Sequence, residues 1–327
     1  MSFISVKNLN KEFKVMQRES GLRNAFKSLI KRKYKTIKAV DNISFDIEKG
    51  EIVGYIGPNG AGKSTTIKML CGILKADSGT ISVAGFDPFK DRKQYVKNIG
   101  VVFGQKSQLW WDIPVIDSFE LLKSIYRISD KDYNETKKEL VELLSLEELL
   151  TIPVRQLSLG QRMRAEIAAS LLHNPKVLFL DEPTIGLDAV SKLEVRKFIK
   201  EISKTKKVTV ILTSHDMSDI EALTNRLMVI GHGKKLYDGT LTGIKNKFSN
   251  SKRLEIIYKN LKRQPDINNI IIVEKKKNKV VLDVDISKIS VSSVIKKYTE
   301  ICDIEDVNII NEDIDNIIVK LYKDYDL

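Results

Sequence analysis

Cysteine is nearly absent. The two that occur, Cys71 and Cys302, lie far apart in 327 residues, which excludes a disulfide framework or cysteine metal cluster and suits a reducing compartment. Long apolar runs are missing too. The most apolar stretches, 176–181 and 208–212, fall well short of the roughly 18 consecutive apolar residues of a membrane-spanning helix and read as short buried strands. The first residues, Met1 to Lys7, show no charged start, long apolar segment or cleavage site, so no secretory signal is read there. If this protein serves a membrane, another chain has to supply the membrane part. There is no internal repeat and no long low-complexity linker.

What remains is 42% apolar and 30% charged, the balance of a water-soluble chain with about two domains. The net charge is +12, unevenly spread: ten basic residues against two acids fall between Lys11 and Lys38. A local basic patch implies an anionic neighbour, whether a membrane surface, a nucleic acid or an acidic partner. Ser20 is placed to cap a helix with Leu22, Phe26, Leu29 and Ile30 on one face and Arg23, Lys27, Lys31 and Arg32 elsewhere. Such a helix either lies near anionic lipid or a membrane subunit or packs on the sheet with a solvated basic face.

Alternation predicts strands at 3–9 and 43–47. Residues 51–56 read as an apolar strand feeding a glycine-rich loop, with helical character from Lys63 to Cys71. Residues 115–172 are largely helical by their apolar spacing. Strand 177–181, helix 189–203, strand 208–213 and helix 216–225 then alternate, which implies an α/β fold with a parallel sheet covered by helices. Near residue 245 glycine disappears while lysine, isoleucine and asparagine become dense. Strands at 253–258, 269–275, 279–285 and 303–310, with helices at 289–301 and 312–323, predict a small α+β domain. The expected division is 1–244, with a basic insertion at about 16–39 and a helical region at about 106–172, followed by 245–327.

The segment Gly57-Pro-Asn-Gly-Ala-Gly-Lys-Ser-Thr65 fits the phosphate-binding loop pattern. Its glycines let backbone N–H groups wrap an anion, and the helix starting near Lys63 aims its positive end at the same place. Lys63 would neutralise the β- and γ-phosphates and Ser64 would bind Mg²⁺ through its hydroxyl. A chance match is opposed by the strand before it and the helix after it. The apolar strand Val177-Leu-Phe-Leu-Asp181-Glu182 ends in two carboxylates. Asp181 suits a metal contact and Glu182 a general base.

The segment Leu157-Ser-Leu-Gly-Gln161 closely resembles the signature of the ABC ATPases and lies just before the Asp181-Glu182 strand, as in that family. Leu159 replaces the first glycine of the usual central pair, while Ser158 and Gly160 remain. Gln105, in Val101-Val-Phe-Gly-Gln105, resembles the Q-loop glutamine. Ile185-Gly-Leu-Asp188 resembles the D-loop, and His215, in Thr213-Ser-His-Asp216, the switch histidine. Phe13 sits where the family places an aromatic that stacks on adenine. Seven elements agree in type, order and rough spacing over about residues 1–240. Gly104–Asp112, Pro153–Met163 and Ala39–Phe45 further resemble an exporter subgroup whose members pair with separate membrane permeases.

The resemblance implies a P-loop NTPase core of mainly parallel sheet, an antiparallel N-terminal β subdomain, an inserted helical subdomain and a small C-terminal α+β domain. It implies ATP and Mg²⁺ as ligands, with Phe13, Gly57, Asn59, Gly60, Gly62, Lys63, Ser64 and Thr65 on the nucleotide, and Ser64, Gln105 and Asp181 at the metal. Glu182, His215 and Gln105 carry catalysis. Ser158, Gly160, Gln161 and Asp188 reach the nucleotide of a second ABC subunit, in a homo- or heterodimer closed around two ATP. The implied partner is an integral membrane permease, and the implied location the cytoplasmic face of the cell membrane. Trp110-Trp111 is either an anchor on that permease or core of the helical region. A soluble ABC ATPase acting on nucleic acid or ribosomes is the alternative, disfavoured by a single cassette and no recognisable nucleic-acid module. A P-loop kinase or GTPase gives no reason for the signature, Gln105 and His215 together. Glu182 and His215 oppose a catalytically weak regulatory subunit.

Overall fold

The computed structural model describes residues 2–17, 33–104, 106–248, 251–261, 263, 265, 267–311 and 314–325. The chain forms two compact units, Met1–Asp238 and Gly239–Leu327.

In the first unit, β1 (Ile4–Gln17) and β2 (Lys33–Ile47) pair antiparallel from Ile4↔Ile47 to Gln17↔Lys33, with register shifts between Val6 and Glu12. β3 (Ile52–Ile56) leads into α1 (Lys63–Leu70), and β4 (Ser78–Val83) completes a three-stranded sheet of order β2-β1-β4. The short α2 (Arg92–Tyr95) precedes β5 (Ile99–Phe103). The helical region holds α3 (Val115–Tyr126), α4 (Asp130–Leu143) and α5 (Leu159–Leu171). Then β6 (Val177–Asp181), α6 (Ala189–Lys206), β7 (Thr209–Thr213), α7 (Met217–Leu223), β8 (Arg226–Gly231) and β9 (Lys234–Thr240) follow.

The second sheet has the order β5-β6-β7-β3-β8-β9, and every pair from β5 to β8 is parallel. Val177 to Leu180 and Val210 to Leu212 are fully or almost fully buried, as expected of strands covered on both faces. A parallel sheet brings all its strand ends to one edge, where loops gather a site. The loops after β3, β5, β6 and β7 therefore converge. In the helical region, Tyr126 at the end of α3 stacks on His173 just past α5, with ring centroids 3.9 Å apart and planes at 2°.

Two expectations change. The first strands are longer than alternation suggested, because three register shifts, between Val6 and Leu9, Leu9 and Lys11, and Lys11 and Glu12, keep the pair together past a break in pattern. Residues 33–39, read as insertion, belong to β2. The helix expected from Ser20 to Arg32 lies outside the described residues.

In the second unit, α8 (Leu241–Phe248) spans the change in texture near 245 and buries Ile244. β10 (Ser251–Lys259), β11 (Ile270–Lys276), β12 (Lys279–Asp285), α9 (Val291–Thr299), β13 (Asp303–Asn311) and α10 (Ile314–Asp324) follow. The sheet, of order β11-β12-β10-β13, is antiparallel throughout. Leu254, Ile256, Tyr258, Val280, Leu282 and Val284 form its core with Val294 and Tyr298 of α9. On the other face Arg253 grips Asp283 through two hydrogen bonds of 2.8 and 3.0 Å.

Candidate nucleotide-binding and hydrolysis site

The loop after β3 turns into α1 through Gly62, whose φ is +101°. A Cβ there would lie 2.1 Å from the carbonyl oxygen of Ala39, so this position admits only glycine. No side-chain oxygen caps α1, which leaves its first N–H groups for an anion. Lys63 is buried, and its Nζ donates to the carbonyls of Gly57 at 2.7 Å and Pro58 at 3.1 Å. Burial pushes its pKa below the usual lysine range, while the carboxylates of Glu182 and Asp181 pull it back. Asn59, Gly60 and Ser64 are exposed along the loop and Thr65 is half-buried.

Asp181 closes β6, and the Thr213 hydroxyl donates to its Oδ1 at 2.6 Å. The next residue, Glu182, has φ +56°, a region unfavourable for a side chain of this kind. Its N–H is held there by the carbonyl and hydroxyl of Thr213, both at 3.1 Å. His215 Nε2 stands 2.7 Å from Glu182 Oε1. A cavity of about 290 Å³ is lined by Ser64, Lys68, Phe103, Gly104, Asp181 and Glu182 among others. The P-loop serine and the two acids therefore meet at one opening. A hydroxyl and a carboxylate are hard oxygen donors of the kind that hold Mg²⁺ together with phosphate oxygens and water. Among the described residues no cluster of three or more acidic, His or Cys side chains is grouped to hold a metal ion by itself.

A polar network is built from the residues that flank His215 in the chain. Asp219 is fully buried and accepts from Arg196 Nε at 2.6 Å, from the Ser214 hydroxyl at 3.0 Å and from the Thr184 hydroxyl. Asp216 is pushed down to about 2, chiefly by the Lys192 ammonium 2.6 Å away and the Ser218 hydroxyl. Sequence reading missed Thr213 as a hinge between the two acids and missed Asp219. Thr213 stood in the quoted Thr-Ser-His run, but a short polar side chain at a strand end carries no distinctive pattern.

The signature residues form a second cluster. Ser158 caps α5: its hydroxyl accepts from the Gln161 N–H at 3.2 Å, and Gln161 Oε1 accepts from the Ser158 N–H at 2.9 Å. Asp188 caps α6 through the N–H groups of Val190 and Ser191, both at 3.0 Å, and takes the Ser191 hydroxyl at 2.7 Å. That hydroxyl leads the causes that lower its pKa. A Cβ on Gly160 would lie 2.3 Å from Ser191 Oγ, so the two helix starts touch through a glycine. Ser158, Gly160, Gln161, Asp188 and Phe13 are not among the residues lining the cavity at Ser64 and Glu182. Phe13 lies on β1 opposite Ile37, partly exposed, with the Lys11 ammonium 5.6 Å from its ring centre.

Gln105 lies outside the described residues. The segment after it is tied to α5: the N–H of Gln108 donates to buried Glu166 at 3.1 Å, the Ser107 hydroxyl also donates to it, and Gln108 Nε2 donates to the Glu166 carbonyl at 2.8 Å. Burial raises the pKa of Glu166 against these hydrogen bonds. Trp110 and Trp111 are 40% and 51% exposed, so neither is core. The Arg162 guanidinium sits 5.6 Å from the ring centre of Trp111.

Residues 40–185 match the family model described as ABC transporter. The chain is 32% identical to the ABC transporter ATP-binding protein NatA of Bacillus subtilis, over 65% of this chain and 86% of NatA. It is 34% identical to the bacitracin transport ATP-binding protein BcrA of Bacillus licheniformis, over 68% of this chain and 71% of BcrA. Among solved structures, a dimeric post-hydrolysis state of the ATP-binding cassette MJ0796 bound to ADP and Pi is similar, with 25% identity and a TM-score of 0.59, over 73% of this chain and 98% of that one. Among the described residues no helix is long and apolar enough to cross a membrane. With the P-loop, the paired acids and the signature in place on this fold, the chain belongs to the ABC transporter family, as one of its ATP-binding proteins.

Proposed function

We propose that two copies of this subunit, or one copy and a related chain, close around two ATP molecules. Each nucleotide then lies between the P-loop of one chain and the Ser158 helix tip of the other. The observation that carries this reading is the division of the predicted residues into two clusters. Ser64, Asp181 and Glu182 line one opening, with the Lys63 ammonium within the field of both acids, while Ser158 and Gly160 are not among its lining residues. A helix start with a hydroxyl and a close-approaching backbone is an anion site, and the γ-phosphate of a partner's ATP satisfies it. ADP lacks that phosphate, so hydrolysis removes the attraction and favours opening.

Within one site, Lys63 and the N–H groups of the loop orient the phosphates and offset their charge. Ser64 and Asp181 would hold Mg²⁺, which when bound spreads the charge developing on the phosphate oxygens. Glu182 takes the proton of the attacking water at its carboxylate, with His215 fixing the direction of that carboxylate. The resemblance of its motif gives Gln105 a role at the metal and in catalysis.

The work done is export of a solute through separate membrane permease subunits, a reading supported by similarity to a bacitracin transport protein. The exposed Trp110 and Trp111 suit an anchor on such a permease. The ten cations between Lys11 and Lys38 suit anionic headgroups beside it. Residues 245–327 act as an accessory domain to the ATPase.

The test is purification with Mg²⁺ and ATP, following mass by light scattering and turnover by phosphate release. ATP-dependent pairing and turnover are expected, both lost in Lys63→Ala with its weakened nucleotide binding. Pairing that ignores nucleotide, or a Ser158→Ala variant with undiminished turnover, would overturn the composite site.

A further inference from the structure

Leu159 stands between Ser158 and Gly160, in the first turn of α5. Its Cδ2 occupies the space beside Gly186: a Cβ built on Gly186 would lie 2.9 Å from it. Gly186 has φ +72°, so that backbone is glycine's for a second reason. Gly186 ends the tight turn that begins at Glu182. Ile185 N–H donates to the Glu182 carbonyl at 3.3 Å, and Leu187 N–H to the Thr184 carbonyl at 3.2 Å. A parallel contact runs through Gly160, packed on Ser191, whose hydroxyl bonds Asp188 at the other end of the same loop. The tip of α5 therefore touches both ends of the segment 186–191, and Leu159 is the contact nearest Glu182.

We infer that Leu159 is a positioning residue that links the tip of α5 to the Glu182 turn of its own chain. This rests on the composite-site reading. When a partner's γ-phosphate draws in the Ser158 helix tip, Leu159 carries the displacement to Gly186, and through it to Glu182, whose backbone is held off its preferred conformation. Nucleotide arriving at one site thereby sets the general base of the other. A smaller side chain at 159 leaves a gap against Gly186 and breaks the link while leaving Ser158, Gly160 and the helix N-terminus free to bind phosphate.

The two roles have opposite topology, which makes them separable. Two copies are joined in one polypeptide by a flexible linker, and one copy carries Glu182→Gln, so turnover reports the remaining Glu182. Leu159→Gly is placed either in the copy with intact Glu182 or in the other. The expected result is a fall in kcat of about 2- to 30-fold, with little change in KM for ATP, only when the substitution shares a chain with the intact Glu182. Leu159→Met, which keeps an apolar side chain of similar volume, restores kcat. Equal loss in both arrangements, loss only in the opposite copy, or no loss in either overturns the proposal. Ser158→Ala in the same pair of arrangements tests the underlying reading. Its loss belongs in the copy opposite the intact Glu182, and a Ser158→Ala loss confined to the same copy removes the composite site and this inference with it.

Discussion

His215 Nε2 and Glu182 Oε1 lie 2.7 Å apart, although 32 residues of a strand–helix–strand crossover separate them from one strand end to the next. The contact exists because β6 and β7 are parallel neighbours in register, Asp181 beside Thr213, so each strand delivers its following residues to the same edge. Glu182→Gln preserves the shape of this pair but removes the proton acceptor. Steady-state ATP hydrolysis should fall by about 10²- to 10⁴-fold, while equilibrium binding of ATP is kept and a nucleotide-held dimer accumulates. Turnover near the parent rate would remove Glu182 from the role of base.

Phe13 offers a ring on the open side of β1, 38% exposed and flanked by Lys11. Stacking of a base on an aromatic is worth about 1–3 kcal/mol. Phe13→Ala should therefore weaken ATP binding by at least about fivefold in a fluorescent-nucleotide titration, and Phe13→Trp should not. Because the ring is outside the core, thermal stability should move by less than about 0.5 kcal/mol. Equal affinities for Phe13→Ala and the parent would place adenine elsewhere.

The parallel core was legible because its strands are short apolar blocks between helical periods, and the phosphate loop because its glycines are forced by close backbone approach, as at Gly62 against Ala39. The small C-terminal sheet was legible from alternation, as in Lys279–Asp285 with Val280, Leu282 and Val284 turned inward. The full length of β1 was not. Beyond Asn10 it leaves the compact core, and Phe13 and Val15 are exposed where a half-buried strand would hide them. Nor was the proximity of Leu159 to Gly186 readable, since 27 positions separate them and only the packing of α5 beside the loop before α6 brings them together. Asp219 carried no signal in the sequence, because the cation and hydroxyls that surround it come from three separate segments.

Stability in mild acid should depend on His173. Its Nε2–H donates to the carbonyl of Ile99 at 2.8 Å, its Nδ1 is buried without a partner among the described residues, and burial pushes its pKa down to about 4. An unfolded histidine titrates near 6.5. Above that pH neither state binds the proton and nothing is lost. As pH falls from about 6.5 to about 4 only the unfolded chain takes it up, so folding stability declines across that window and levels off below it, by roughly 3 kcal/mol in total. His173→Phe keeps a ring against Tyr126 but cannot titrate. Urea unfolding of both proteins at several pH values should show the difference between them narrowing as acid is added. A constant difference would mean that the histidine is protonated alike in both states.

Trp111 is half exposed in the segment between Gln105 and α3, with the Arg162 guanidinium set against its ring. Arg162 lies on α5, whose Glu166 holds the same segment from the other side through Gln108. On the proposed function, this exposed apolar surface, set against Arg162 of the helix that follows Ser158, transmits a push between a membrane subunit and the ATP site. Trp111→Ala removes little buried area from the isolated subunit, so its melting temperature and basal ATP hydrolysis should stay close to those of the parent. Aromatic anchors carry a disproportionate share of interface energy. The variant should therefore fail to co-purify with its permease in detergent, or should bind without transport-coupled stimulation of ATP hydrolysis. Undiminished assembly and stimulation, with the fold intact, would assign the permease contact to another surface and leave Trp111 as an exposed neighbour of Arg162.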